Sequence, residues 1–253
     1  MIQRTEHRVA VPFLPEALRG LRVVQLSDLH RSHITPDRLL RRAVAMANAA
    51  EPDIIALTGD FVTKDPEDIA PCAHIISALC ARLGIYAVLG NHDHFTDAHA
   101  VERALTHTGI QVLVNRSIRL ESGLWLVGLD DERTGKPDAE RALAGIGPQE
   151  PVLALIHNPV GAERLADRAC VALCGHTHGG QIRVPIFTAR EIRRIGAKRY
   201  RAGWFQVGQT RFYVNRGLGK VGIPLRLFCC PEMAVFTLEP GRPPSARPDR
   251  SLG

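Results

Sequence analysis

Five short apolar runs in this 253-residue chain each end in aspartate, histidine or asparagine, and that recurrence constrains the fold more than any other feature. Residues 22–26 lead into Ser27-Asp28, 53–57 into Thr58-Gly59-Asp60, and 85–89 into Gly90-Asn91-His92-Asp93. Residues 152–156 precede His157, and 170–173 precede the Gly175-His176 pair by one residue. Runs of this length, rich in Val, Ile and Leu, fit strands buried on both faces. In sheets of that kind ligands gather outside the carboxyl ends of the strands, so five such ends can bring their polar residues to one place.

Helical patterns separate the first three runs. Thr35-Pro36-Asp37 reads as a capped start, after which Leu39, Leu40, Ala43, Val44 and Ala47 follow a helical period. Residues 66–83 and 97–108 are further helical stretches. The order strand–helix–strand–helix–strand predicts α/β layering. Two hairpins are expected, over 117–129 with its turn at Glu121-Ser122-Gly123, and over 204–214 with its turn near Gly208-Gln209. One domain over residues 1–239 is expected, followed by a loose, proline- and arginine-rich tail over 240–253.

The set Asp28-x-His30, Asp60, Asn91, His157 and His176-x-His178 combines carboxylate, amide and imidazole donors. That mixture suits manganese, iron or zinc better than calcium. No cysteine joins it, which argues against a structural zinc site. At an extended strand end, the two members of an i, i+2 pair face the same side, so each pair can serve one centre. Gly59, Gly90 and Gly175 permit tight turns that a Cβ would obstruct. A lone Asp-x-His is a surface loop far more often than a site; the weight lies in the joint occurrence, in order, each after a strand. His7, His74, His99 and His107 lack that context and read as surface or structural. Of the six cysteines, Cys170 and Cys174 flank an apolar run and read as core, and the Cys229-Cys230 pair as packing.

Charge is local. The chain carries +6, and residues 183–201 alone hold seven basic side chains (Arg183, Arg190, Arg193, Arg194, Lys198, Arg199 and Arg201) against Glu191, so the remainder is neutral. Basic residues mixed with Ile186, Phe187, Ile192 and Ile195 suit an anionic membrane surface. Nucleic acid ranks lower as a partner, because aromatics are only 5% and no aromatic-interleaved groove is visible. Arg4, Glu6, Arg8, Pro12 and Pro15 interrupt the first twenty residues, which predicts no signal or membrane helix there and a cytoplasmic location, peripheral on the inner membrane face.

Together these motifs resemble the calcineurin-like metallophosphoesterases, from about Leu21 to Leu238. Leu155-Ile156-His157-Asn158-Pro159, the run Cys174-Gly175-His176-Thr177-His178-Gly179-Gly180-Gln181-Ile182, and Gly217-Leu218-Gly219 with Pro231-Glu232 are similar to the bacterial branch of small phosphodiesterases related to UDP-2,3-diacylglucosamine hydrolases. The resemblance implies a four-layer α/β/β/α sandwich of two mixed sheets. It implies two divalent metal ions, manganese foremost, with iron, zinc or magnesium as alternatives. Asp28, His30, Asp60 and His178 would hold one; Asp60, Asn91, His157 and His176 the other. His92 would act beside the substrate phosphate, oriented by Asp93, and Arg31, Asn91 and His92 would contact substrate. Many relatives carry a glycine where Arg31-Ser32-His33 stands. The implied activity is hydrolysis of an anionic phosphate ester, with lipid-linked substrates such as UDP-2,3-diacylglucosamine included. A nuclease or cyclic-nucleotide phosphodiesterase is the second reading, and a non-catalytic binding module, opposed by the complete ligand set, the third.

Overall fold

The computed structural model describes residues 1–182 and 200–242. Two six-stranded sheets face each other. The first has the order β1(Gln3–Pro12), β12(Glu232–Gly241), β2(Arg22–Leu26), β3(Ile54–Thr58), β4(Ile85–Val88), β5(Gln111–Val112). The second has the order β10(Gly203–Val207), β11(Thr210–Val214), β9(Cys170–Cys174), β8(Val152–Leu155), β7(Trp125–Gly128), β6(Arg116–Arg119). Within the first sheet β2, β3, β4 and β5 run parallel, as do β7, β8, β9 and β11 within the second. Both sheets are mixed, because β12 pairs antiparallel with β2, and β6 and β10 antiparallel with β7 and β11.

The side-chain period of two splits each central strand between two cores. Ile54 and Ala56 of β3 meet Leu153 and Leu155 of β8 between the sheets, together with Val23, Val88, Val171 and Leu173. The alternate residues face outward. Ile55 and Leu57 pack under the helices α1(Asp37–Asn48), α2(Ile69–Ile76) and α4(Ala98–His107). Val152 and Ala154 pack under α5(Ala139–Leu143) and the 3-10 segment Pro159–Leu165. The result is the four-layer α/β/β/α sandwich, and double-sided burial explains why these strands carry almost no polar residue. Gln25 and Thr58 are buried exceptions: the Gln25 amide donates to Thr58 Oγ1 and to the Cys174 carbonyl, both at 2.9 Å, stitching the two sheets below the site.

Both hairpins form where the sequence places them, the second with Gly208-Gln209 as its two-residue turn. Several details differ. Pro36, not Thr35, is the residue before α1, and the Thr35 hydroxyl accepts from the Lys220 N–H instead of capping the helix. The helix expected over 66–83 is a 3-10 turn at Pro66–Asp68 followed by α2, which stops at Ile76. Beyond it Asn48 takes over the backbone, donating to the Ala78 carbonyl and accepting from Cys80 N–H, and Leu83 N–H joins Asp53. Strands β1 and β12 pair in parallel over ten residues, so Pro240 and Gly241 belong to the sheet and not to a tail. Residues 243–253 lie outside the described residues, as do 183–199 of the basic segment. Among the described residues no helix is long and apolar enough to cross a membrane. Cys170, Cys174 and Cys229 are buried and free.

Candidate metal centre

The parallel strands of both sheets deliver their carboxyl ends to one edge. Asp28 follows β2, Asp60 follows β3, Asn91 opens the short helix α3(Asn91–Thr96) after β4, His157 follows β8 and His176 follows β9. All seven side chains named from the sequence converge there, and all are buried. Donor atoms of Asp28, His30, Asp60 and His178 lie within 4.8 Å of one another, and so do those of Asp60, His157 and His176. Asp60 is common to both groups: its Oδ2 sits 3.2 Å from His30 Nε2 and 3.2 Å from His157 Nε2. Asn91 Oδ1 is 3.3 Å from His157 Nε2.

The backbone route to this convergence is not strand alternation. Asp28 and His30 have φ of 51° and 45°, Asp60 56°, and His176 and His178 72° and 51°. Five of the seven candidates therefore occupy the left-handed region, which costs roughly 1 kcal/mol or more each and collects at functional sites. Both i, i+2 pairs belong to left-handed turns beyond the strand ends, with Leu29 and Thr177 buried between their members. Gly59 (φ 83°) makes the turn before Asp60 possible, since a Cβ there would stand 2.7 Å from His157 Nδ1 and 2.7 Å from Gly90 N.

The surroundings orient these groups for cation binding. His157 Nδ1–H donates to the Thr58 carbonyl (2.7 Å), which turns Nε2 into the centre. The Asp28 carboxylate accepts from His176 N–H at 2.9 and 3.1 Å and from the Ser27 hydroxyl at 2.6 Å. Ring nitrogens face one another across the site, His178 Nε2 to His30 Nε2 at 3.1 Å and His176 Nδ1 to His157 Nε2 at 3.2 Å. Two such pairs beside buried carboxylates are the arrangement that a pair of cations satisfies, and the donor set fits a dinuclear centre. In the metal-free chain, burial opposes charge on Asp60, yet His157 and His30 hold its carboxyl well below the usual range. Burial likewise opposes charge on His157, but Asp60 raises it well above the ordinary imidazole value. Burial and the charge of His30 push His178 well down.

Residues 21–180 match the calcineurin-like phosphoesterase family. The chain belongs to that family. It is 34% identical over 250 residues to the uncharacterised metallophosphoesterase YkuE of Bacillus subtilis, covering 94% of this chain and 86% of that one. It is 33% identical to the phosphodiesterase YaeI of Escherichia coli, over 92% of this chain and 86% of that one. It is 30% identical to the UDP-2,3-diacylglucosamine pyrophosphatase LpxG of Chlamydia trachomatis, over 85% and 82% of the two chains. Among solved structures, TT1561 of Thermus thermophilus shares the fold, with a TM-score of 0.52 at 15% identity over 79% of this chain and 90% of that one. Membership of this calcineurin-like family makes the chain a metal-dependent phosphoric ester hydrolase.

Within this phosphoesterase site His92 stands beside the ligand groups, its ring T-shaped against His30 at 4.8 Å. Its Nδ1–H donates to the Thr63 carbonyl (2.6 Å), and burial lowers its pKa. Thr63, and not Asp93 as expected, therefore orients the ring. The Asp93 carboxylate is spent on backbone: it accepts from Asp60 N–H (2.9 Å), Phe61 N–H (2.8 Å) and Gly90 N–H (2.8 Å), tying the turn that carries Asp60 to the turn that carries Asn91. Burial and the Asp60 charge push that carboxyl up to about 7, against the pull of the N–H donors. Arg31 also departs from expectation. Its guanidinium is paired with Asp37 and Asp68 and does not line the cleft. Over the centre opens a cleft of about 400 Å3, walled by Asp60, Asn91, His92, His176 and His178 and rimmed by Phe95, Arg133, Gln181 and Ile223. Arg133 carried no signal in the sequence, since no motif surrounds it.

Proposed function

We propose that the protein is a dinuclear-metal phosphodiesterase or pyrophosphatase acting on an anionic, lipid-linked phosphate ester of the kind UDP-2,3-diacylglucosamine represents. The observation that carries this reading is the shared Asp60 at the floor of a cleft whose rim is cationic at Arg133 and apolar at Phe95 and Ile223. Asp28, His30, Asp60 and His178 would hold one cation, and Asp60, Asn91, His157 and His176 the other. Such a pair lowers the pKa of bound water toward neutrality and neutralises charge on phosphoryl oxygens. The chain's own residues do the rest. His92, held by Thr63, directs Nε2 toward the cleft, where its imidazolium protonates the leaving oxygen or stabilises the phosphoryl charge. Asp93 keeps the Asp60 and Asn91 turns in register. Arg133 meets the negative part of the substrate at the rim, and Phe95 and Ile223 offer contact to an acyl portion. The names of relatives point the same way: one is a UDP-2,3-diacylglucosamine pyrophosphatase, and two, from Danio rerio and Bos taurus, are transmembrane proteins with a metallophosphoesterase domain. The test is a hydrolysis screen of the manganese-loaded protein on bis-aryl phosphodiesters, monoesters, nucleotides, UDP-diacylglucosamine and lipid pyrophosphates. Turnover of UDP-diacylglucosamine or a lipid pyrophosphate above the nucleotides and monoesters is expected. Preference for nucleotides would overturn the substrate assignment.

A further inference from the structure

Residues 221–230 form a loop whose polarity is inverted. Ile223, Leu225, Leu227 and Phe228 are exposed, Phe228 to 77%, while the loop's polar groups turn inward. The Gln181 amide donates to the carbonyls of Val221 (3.1 Å) and Ile223 (3.0 Å) and accepts from Val221 N–H (2.9 Å). Leu227 N–H donates to the Gln181 carbonyl (3.0 Å). The Arg226 guanidinium lies inside, donating to the carbonyls of Arg216 and Gly219 with His178 Nδ1 at 3.2 Å, and the Cys229 thiol donates to the His178 carbonyl at 3.1 Å. These clamps hold the apolar side chains outward and prevent their collapse onto the protein. Phe228 keeps a φ of 53°, rare for an aromatic residue. Contiguous exposed apolar side chains beside a cleft mark an interaction surface.

Two further observations select the occupant. Phe95, 58% exposed, stands across the cleft mouth, so the apolar rim surrounds the entrance to the centre. Ile182 bridges Leu227, and the chain that leaves Ile182 carries a sequence with six basic residues and one acidic one before it returns at Arg201, whose carbonyl accepts from Thr177. Arg133 on the cleft rim, with a cationic sequence joined to the described chain at Ile182 and Arg201, complements anionic headgroups and opposes a second copy of the same chain, which would bring like charge to like.

We infer that the 221–230 loop docks the protein on an anionic lipid bilayer, with Leu225, Leu227 and Phe228 entering the apolar boundary and the cleft mouth meeting the headgroups. This rests on the lipid-linked substrate reading above for its purpose, but its test needs no turnover. The full-length protein is incubated with vesicles of phosphatidylglycerol and phosphatidylcholine, or of phosphatidylcholine alone, and the bound fraction is measured by flotation. Wild-type protein should bind the anionic vesicles, and the double substitution Leu225→Ser with Phe228→Ser should weaken that binding by about tenfold or more. Turnover of a soluble bis-aryl phosphodiester should stay within about twofold, since neither residue lines the cleft. A second variant, Phe228→Trp, places an indole at the tip of the loop, and lipids brominated in their acyl chains should quench its emission. Wild-type binding equal to that of the double variant, no binding to anionic vesicles, or an unquenched indole would overturn the proposal. So would a dimer that the double substitution dissolves, which would give the patch to a second copy. Binding as expected without cleavage of any lipid-linked ester would leave the docking surface standing and remove the substrate reading alone.

Discussion

Asp93→Asn separates a structural carboxylate from a catalytic one. In the folded chain the Asp93 oxygens accept from four buried N–H groups, those of Asp60 and Gly90 on Oδ2 and those of Phe61 and, at a longer 3.4 Å, Val62 on Oδ1. An asparagine can turn its oxygen to the first two, but its NH2 group then faces the N–H groups of Phe61 and Val62. The Phe61 donor left unpaired costs about 1–3 kcal/mol, and the longer, weaker Val62 bond adds little to that. The two surviving bonds lose the charge on their acceptor, at about 1 kcal/mol each. The sum is about 3–5 kcal/mol, which for a chain of this length lowers the melting temperature by roughly 6–20 °C. Thermal unfolding followed by circular dichroism, in chelator at pH 8.5 so that Asp93 is ionised, measures it directly. His92→Ala provides the contrast, because that ring gives the backbone only one bond, to Thr63. Its melting temperature should fall by much less, and its kcat by about 10²–10⁴-fold. An Asp93→Asn protein that melts within 2 °C of wild type while losing kcat as His92→Ala does would refute the structural assignment.

Other outcomes follow from the same geometry. His157→Ala and His176→Ala should each deplete one metal position, whereas His92→Ala should leave metal content intact by elemental analysis. Asp60 raises His157 in the metal-free chain, so its proton occupies the site up to a higher pH than an ordinary imidazole allows. Metal uptake should therefore weaken as pH falls and release protons, both readable by titration calorimetry in buffers of different ionisation enthalpy. The Thr63 carbonyl requires a hydrogen on His92 Nδ1, so Nε2 carries a proton only in the imidazolium form, which burial disfavours. If His92 is the acid, kcat/KM should fall as pH rises through that lowered value, and His92→Ala should remove this limb of the profile.

The positions of the five strand ends were legible because burial on both faces leaves an unmistakable apolar run, and because each run stops at a polar donor. Strands β1 and β12 were not. In β1 the outward residues Arg4, Glu6 and Arg8 dilute the apolar signal, and the ten-residue parallel ladder with β12 spans most of the chain length. The ligand residues were legible by type and order, but not the left-handed turns that present them, since i, i+2 spacing looks the same in an extended end and in a turn. The roles of Asp93 and Arg31 depend on which partners tertiary packing brings: four N–H groups for one, Asp37 and Asp68 for the other. The inverted loop at 221–230 reads in sequence as an ordinary apolar stretch. Only the inward clamps of Gln181, Arg226 and Cys229 reveal that its side chains face out.

Asp60 would be shared by two metal ions, since it belongs to both donor groups. Metal content per chain, measured with phosphodiester turnover on wild type and Asp60→Asn after manganese loading and removal of excess, tests it most directly. Wild-type protein should retain about two ions per chain and lose all turnover on complete chelation, and Asp60→Asn should lose both ions and activity together. Turnover that survives complete metal removal, or an Asp60→Asn protein that keeps both ions, would contradict it.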